Sequence, residues 1–309
     1  MSVNPHQFPR TSEVFLDHAA IFVDEFDRSG DALQRLGFTM TPFRAHSSAL
    51  RPGDPITLLG TGNRCAMLRE GFIEVLGPTS DTPMAAQLRA SLARYPGLHL
   101  IAFSGTDPQA RHAALVAAGL DPAPIARIER TQATSDGDQD IRASIVRLKP
   151  DAWPEGRVQM VFPEMSPDKM WHPSLVQHPN AADSLCELLL VVESPSGRAR
   201  QFALFCGRAI RTMGPLHVLE LDRGRLCITD KPGLERVLPG AAAPTLPFIA
   251  AAAIGSADLA VTREFFERQG IEFRAISDSL HIRPIDALGA NLVFHDRPDG
   301  RIFETLAQT

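Results

Sequence analysis

The sequence predicts an α+β chain of four βαβββ units paired into two cupped sheets, and three observations predict it. Four short, β-rich apolar runs recur along the chain. Each leads through a helical stretch to a glycine at almost the same distance. Extended segments follow each glycine, and the last of them tends to start after another glycine.

The first run, residues 14–23, passes a polar turn at residues 24–27 into an amphipathic stretch ending in Leu36-Gly37-Phe38. Glycine suits the left-handed position that closes a helix, so Gly37 reads as a C-cap with positive φ. Residues 98–103 lead likewise to Gly119, residues 185–192 to Gly207, and residues 248–254 to Gly270. With His18, His99, Glu187 and Ala250 aligned, the glycine falls 19, 20, 20 and 20 residues later. Independent strand–helix units would not keep that distance, so the repeat organises the chain.

The closing strands are expected at residues 72–76, 158–162, 225–229 and 291–294, after Gly71, Gly156, Gly224 and Gly289. A helix on a short sheet leaves one sheet face bare, and pairing two units covers it. Residues 163–180 are proline-rich and exclude a long helix or a central strand. The expected division is a first domain at 12–165, a linker at 166–183 and a second domain at 184–309. Residues 81–94, apart from their opening turn, read as an extra helix between the first two units.

Of the 309 residues, 44% are hydrophobic and 22% charged, as in globular proteins. A formal net charge of -5, with no basic run, argues against a nucleic-acid partner. The first residues lack a signal-peptide core and no apolar run approaches spanning length, so a soluble cytoplasmic protein without a membrane partner is expected. Four cysteines without a CxxC pair fit structural thiols in a reducing compartment.

Leu16-Asp17-His18 on the first strand and Gly71-Phe-Ile-Glu74 on the fourth resemble the vicinal-oxygen-chelate superfamily. That group includes glyoxalases, extradiol dioxygenases and bleomycin-resistance proteins. Residues 62–69, with Trp171-His-Pro and His178-Pro-Asn, look like its glyoxalase-like domain proteins. The resemblance implies metal ligands at His18, Glu74 and His99, with Met160 at the fourth position. This two-histidine, one-carboxylate set would take Fe, Mn, Ni, Co or Zn. In the second half the equivalent positions are Glu187, Ile228, Ala250 and Phe294, a degenerate site.

Glu74 is also the candidate catalytic base. Arg64, Asn63, His46 and Trp171 are candidate substrate contacts, Arg64 because a guanidinium grips a carboxylate or phosphate in bidentate fashion. A packed strand histidine, a structural ion pair at Glu74 and a linker anchored by Trp171 would explain the same residues without chemistry. The expected function is a metal-dependent lyase or isomerase acting on a small oxygen-chelating substrate. The alternatives are a ring-cleaving dioxygenase and a metal-free small-molecule binder. A homodimer is compatible with any of the three.

Overall fold

The computed structural model describes residues 6–48, 57–134, 137–154 and 157–308. Gly156 lies outside them. The described residues form a mixed α+β fold with sixteen strands joined in one hydrogen-bonded sheet and seven α-helices.

The first run forms β1 (Phe15–Phe22), followed by α1 (Phe26–Arg35), β2 (Arg44–Ser48), β3 (Thr57–Met67) and β4 (Phe72–Pro78). Strand β1 pairs in parallel with β4, which pairs antiparallel with β3, and β3 with β2. Next comes α2 (Pro83–Leu92), in the expected place and capped by Thr82, whose side chain accepts from the Ala85 N–H. Such a cap contributes about 1 kcal/mol.

The same pairing order holds for β5 (Gly97–Ser104), β6 (Ala126–Thr134), β7 (Gly137–Val146) and β8 (Arg157–Pro163), with α3 (Pro108–Ala117) after β5. It holds for β9 (Ala182–Val191), β10 (Ile210–Met213), β11 (Leu216–Glu220) and β12 (Arg225–Thr229), with α4 (Pro195–Cys206) after β9. After α5 (Lys231–Val237), it holds again for β13 (Phe248–Ser256), β14 (Phe273–Ile276), β15 (Ser279–Ile282) and β16 (Asn291–His295). Helix α6 (Leu259–Arg268) follows β13, and α7 (Ile302–Leu306) follows β16. Strand β1 pairs antiparallel with β5, and β9 with β13. Gly37, Gly119 and Gly270 have positive φ, as the repeat predicts, and Gly207 does as well.

The sheet register corrects the alignment of the repeat by one residue. Asp17 is extra in β1, because Leu16 pairs with Phe103 and His18 with Ala102. His99 is extra in β5, because Ala20 pairs with Leu100 and Ile21 with Leu98. Cys186 in β9 and Ala250 in β13 are extra in the same way. Each opening strand therefore carries a β-bulge, and the residue after it aligns as His18, Leu100, Glu187 and Ala251. Two residues further on, the partners on the closing strands are Glu74, Gln159, Cys227 and Val293. Met160, Ile228 and Phe294 each lie one position off and face the other side. A one-residue slip exchanges the two faces of a strand.

Those faces have distinct fates. One set of side chains, including Ile21, Val75, Phe103, Met160, Leu190, Ile228 and Phe294, joins the helices in a single apolar core drawn from both halves. The opposite face of the second half is also apolar, and α5 and α7 fill it with Leu234, Val237, Ile302, Phe303 and Leu306. The opposite face of the first half is different. Apolar groups hold its ends: Leu88 of α2 over Ala20 and Leu100, and Trp171 beside Phe72. Between them lie buried polar side chains.

Candidate functional site

The polar strip follows from two rows across neighbouring strands. Glu74, Ala20, Leu100 and Arg157 lie side by side on β4, β1, β5 and β8. Phe72, His18, Ala102 and Gln159 form the adjacent row. Ala20, Leu100 and Ala102 of the middle strands are covered by Leu88 of α2, with His18 and Glu74 on one side and Gln159 and Arg157 on the other.

His18 and Glu74 are brought together: His18 Nε2 lies 3.9 Å from Glu74 Oε2, and both residues are under a tenth exposed. Asp17, the bulge residue, places Oδ1 2.6 Å from His18 Nδ1. A carboxylate accepts there, so Nδ1 donates to Asp17, and Nε2 is the ring atom turned toward Glu74. The ring is fixed from the side by Phe72, stacked at 4.2 Å. Asn63, expected as a substrate contact, instead donates from Nδ2 to Glu74 Oε1 at 2.5 Å. That bond occupies one carboxylate oxygen and leaves Oε2 facing the imidazole.

The other expected residues lie elsewhere. His99 donates from Nε2 to the Tyr95 carbonyl at 2.8 Å and stacks on the Tyr95 ring at 4.0 Å. It also packs against Phe22 at 5.2 Å, and Tyr95 in turn meets Phe248 of the second half. Burial pushes its pKa down to about 4, so the ring is neutral at pH 7. Its Nδ1 is buried without a hydrogen-bond partner. Among the described residues, no three His, Cys, Asp or Glu side chains are grouped to hold a metal ion. The set of His18, Glu74 and His99 is therefore not assembled, and the residues present do not fit a three-ligand centre.

Arg64 pairs with Val75, whose side chain lies in the helix-side core, and its Nε donates to the Thr41 carbonyl. His46 Nδ1 contacts Thr61 Oγ1 at 3.0 Å. Trp171 is fully buried and donates from Nε1 to the Leu68 carbonyl at 2.9 Å, with its ring edge-on to Phe72. Asp17, Gln159 and Arg157 join the strip without having been expected there. Asp17 stood in the motif beside His18, but only the bulge brings its carboxylate to the ring.

In the second half, Glu187 takes the place of His18, and Cys227 that of Glu74. The Cys227 thiol donates to Glu187 Oε1 at 3.7 Å, and the Phe303 N–H at the start of α7 donates to Oε2 at 2.9 Å. Burial raises the Glu187 pKa to about 7; the Phe303 N–H and Arg225 oppose that shift, and Glu304 reinforces it. This second pair is enclosed by the chain itself.

A bulged opening strand carrying His18, a closing strand carrying Glu74 and the recurring pairing order define a glyoxalase-like fold. The chain belongs to the glyoxalase-like domain family, whose match spans residues 16–204. Among solved structures, a hypothetical protein from Staphylococcus aureus superposes with a TM-score of 0.60 at 14% identity, covering 91% of this chain and 99% of that one. A 4-hydroxymandelate synthase variant from Streptomyces coelicolor gives a TM-score of 0.57 at 11% identity, covering 96% of each chain. At these identities the likeness is one of fold. No curated protein is similar enough in sequence to match.

Proposed function

We propose that the first cup is the active site of a glyoxalase-like lyase or isomerase that moves a proton on a small, oxygen-bearing substrate. This reading takes the four recurring runs as βαβββ units paired in two cups, residues 12–165 forming the first and 184–309 the second. The observation that carries it is the buried Asp17–His18–Glu74–Asn63 chain, in a cup that is otherwise apolar at both ends.

In the proposed step, Glu74 Oε2 accepts the proton from a carbon next to a carbonyl. The electron pair of the broken C–H bond passes to the carbonyl oxygen as an enediolate. On a substrate with a hydroxyl on that carbon, the same oxygen returns the proton to the former carbonyl carbon while the hydroxyl proton passes to the former carbonyl oxygen, so hydroxyl and carbonyl exchange places without an oxidant. Asp17 holds the His18 ring in place, and the Asn63 amide, donating to Oε1, orients the carboxylate. A divalent ion on His18 and Glu74 would need further donors. His99 is turned to Tyr95, so no step is assigned to a metal.

The test is hydrogen–deuterium exchange at carbon, followed by NMR in D2O with hydroxyacetone, glyceraldehyde and methylglyoxal, alongside metal analysis of the protein purified without chelators. Glu74→Gln should lower exchange by about 10²-fold or more, in the range of general acid–base contributions. Full exchange activity in Glu74→Gln would overturn the reading. A stoichiometric metal, lost in both His18→Ala and His99→Ala, would restore a three-ligand centre and replace this mechanism.

A further inference from the structure

We propose that residues 165–176 are a lid on the first cup, and that His18 and Glu74 meet their substrate only when this strap swings away from Phe72. The inference rests on the proposed site at His18 and Glu74 and names what controls access to it.

The cup is closed as it stands. His18 and Glu74 are 6% and 7% exposed. The outer strands of this half, β2 and β6, touch, so the curled sheet brings its two edges together. Two ends remain. At one, Leu88 of α2 covers Ala20, Leu100 and Ala102. At the other, the strap crosses from wall to wall. There Met170 and Trp171 join Cys65 of β3 and Phe72 of β4 to Ile141 of β7 in one apolar cluster. A relay of rings ties the strap to the site: Phe8 lies edge-on to Trp171, Trp171 edge-on to Phe72, and Phe72 stacks on His18.

The two ends are held differently. Helix α2 is regular and capped by Thr82, whose hydroxyl also donates to the Leu59 carbonyl of β3. The strap has a single 3-10 turn, Pro167–Lys169, and its backbone bonds close on itself. The Met170 and Trp171 N–H groups donate to the Pro167 carbonyl, and the Leu175 N–H to the His172 carbonyl. The strap grips the walls through apolar side chains and through the Trp171 indole, which donates to the Leu68 carbonyl. Such a segment can open without breaking a helix or a sheet ladder, so it opens at lower cost than the chain unfolds.

Both of its flanks are anchored. Glu164 accepts from Ser144 Oγ on β7, and His178 joins the Met67 carbonyl to the Thr39 N–H. Pro167 and Pro173 stiffen the chain between these anchors, so the strap moves as one piece.

Cys65 can report the opening. It pairs with Glu74 across β3 and β4, is 6% exposed and belongs to the cluster that the strap completes. Cys206 and Cys227 are fully buried outside that cluster and report unfolding of the chain. The experiment is alkylation of the native full chain with N-ethylmaleimide, the rate at each cysteine being followed by peptide mass spectrometry. Cys65 should react about tenfold or more faster than Cys206 and Cys227, because only the strap has to move. Trp171→Ala should speed Cys65 by a further factor of about ten without changing the other two, since it removes a buried ring and a hydrogen bond. Should Trp171→Ala fail to fold, Trp171→Phe, which keeps a ring but loses the bond to Leu68, should give a smaller increase at Cys65 alone. Leu88→Ala, at the opposite end, should leave the ratio of the Cys65 and Cys227 rates unchanged.

Equal rates at Cys65, Cys206 and Cys227, before and after changing Trp171, would overturn the lid. So would acceleration of Cys65 by Leu88→Ala and not by Trp171→Phe, which would make α2 the door. The labelling needs no substrate, so it is separable from the carbon-exchange assay. An opening strap with full exchange in Glu74→Gln keeps the lid and removes the proton-transfer mechanism. Lost exchange in Glu74→Gln with Cys65 sealed keeps the mechanism and removes the lid.

Discussion

Replacing His99 and His18 by alanine should separate two kinds of strand histidine. His99 is fully buried between Tyr95 and Phe22, so His99→Ala should leave a cavity and cost on the order of 2–4 kcal/mol. His18 touches polar neighbours on the cup side, and His18→Ala should cost less while abolishing exchange. Denaturant unfolding of both variants measures this; equal losses would mean that His18 is also a packing residue. The two residues look alike in the sequence, each on an apolar opening run. What distinguishes them is a bulge, which makes His99 the counterpart of Asp17 and leaves Leu100 as that of His18.

At the scale of the element, the capping glycines offer a graded test. All four have left-handed backbones, where a Cβ costs roughly 1–2 kcal/mol. At Gly119 an added Cβ would meet nothing within 4 Å, so Gly119→Ala should cost only that conformational strain. At Gly37 the Cβ would lie 2.6 Å from the Phe265 ring and 2.8 Å from Asn180 Cβ, contacts in which the second half closes on the first. Gly37→Ala should therefore be clearly worse than Gly119→Ala in thermal unfolding. Equal effects would show that the contact between α1 and α6 gives way easily. The glycines were legible because left-handed helix ends select a residue type. Strand faces were not, because a bulge can hold any side chain.

For the whole molecule, buried ionisable groups set opposite responses to pH. His99, His178, His281 and His295 are each pushed down to about 4 by burial. Between about pH 6.5 and 4 the unfolded chain binds protons that the folded chain refuses, so stability falls as pH drops. Glu187, raised to about 7, works the other way: the folded chain holds its proton, and stability falls as pH rises from about 4.5 to 7. Four groups against one make acid the stronger destabiliser, and the melting temperature should fall steadily from pH 6.5 to 4. Glu187→Gln should gain stability relative to the parent at pH 8 and lose that advantage near pH 5. A difference independent of pH would show that Glu187 is not protonated in the fold.

By itself the sequence determined the repeat, the helix-closing glycines and the order of strands, and it singled out His18 and Glu74 as candidates in one set with His99. Those features depend on local backbone preference and on spacing along the chain, which a single sequence displays. The tertiary structure decided which face each strand presents, and so replaced Met160 by Gln159 and separated His99 from the pair. It also decided that α7 fills the second cup, and that Leu88 of α2 covers Ala20 and Leu100 in the first. Each of these outcomes depends on register across strands or on contacts between distant segments. A single unmarked bulge residue shifts them all.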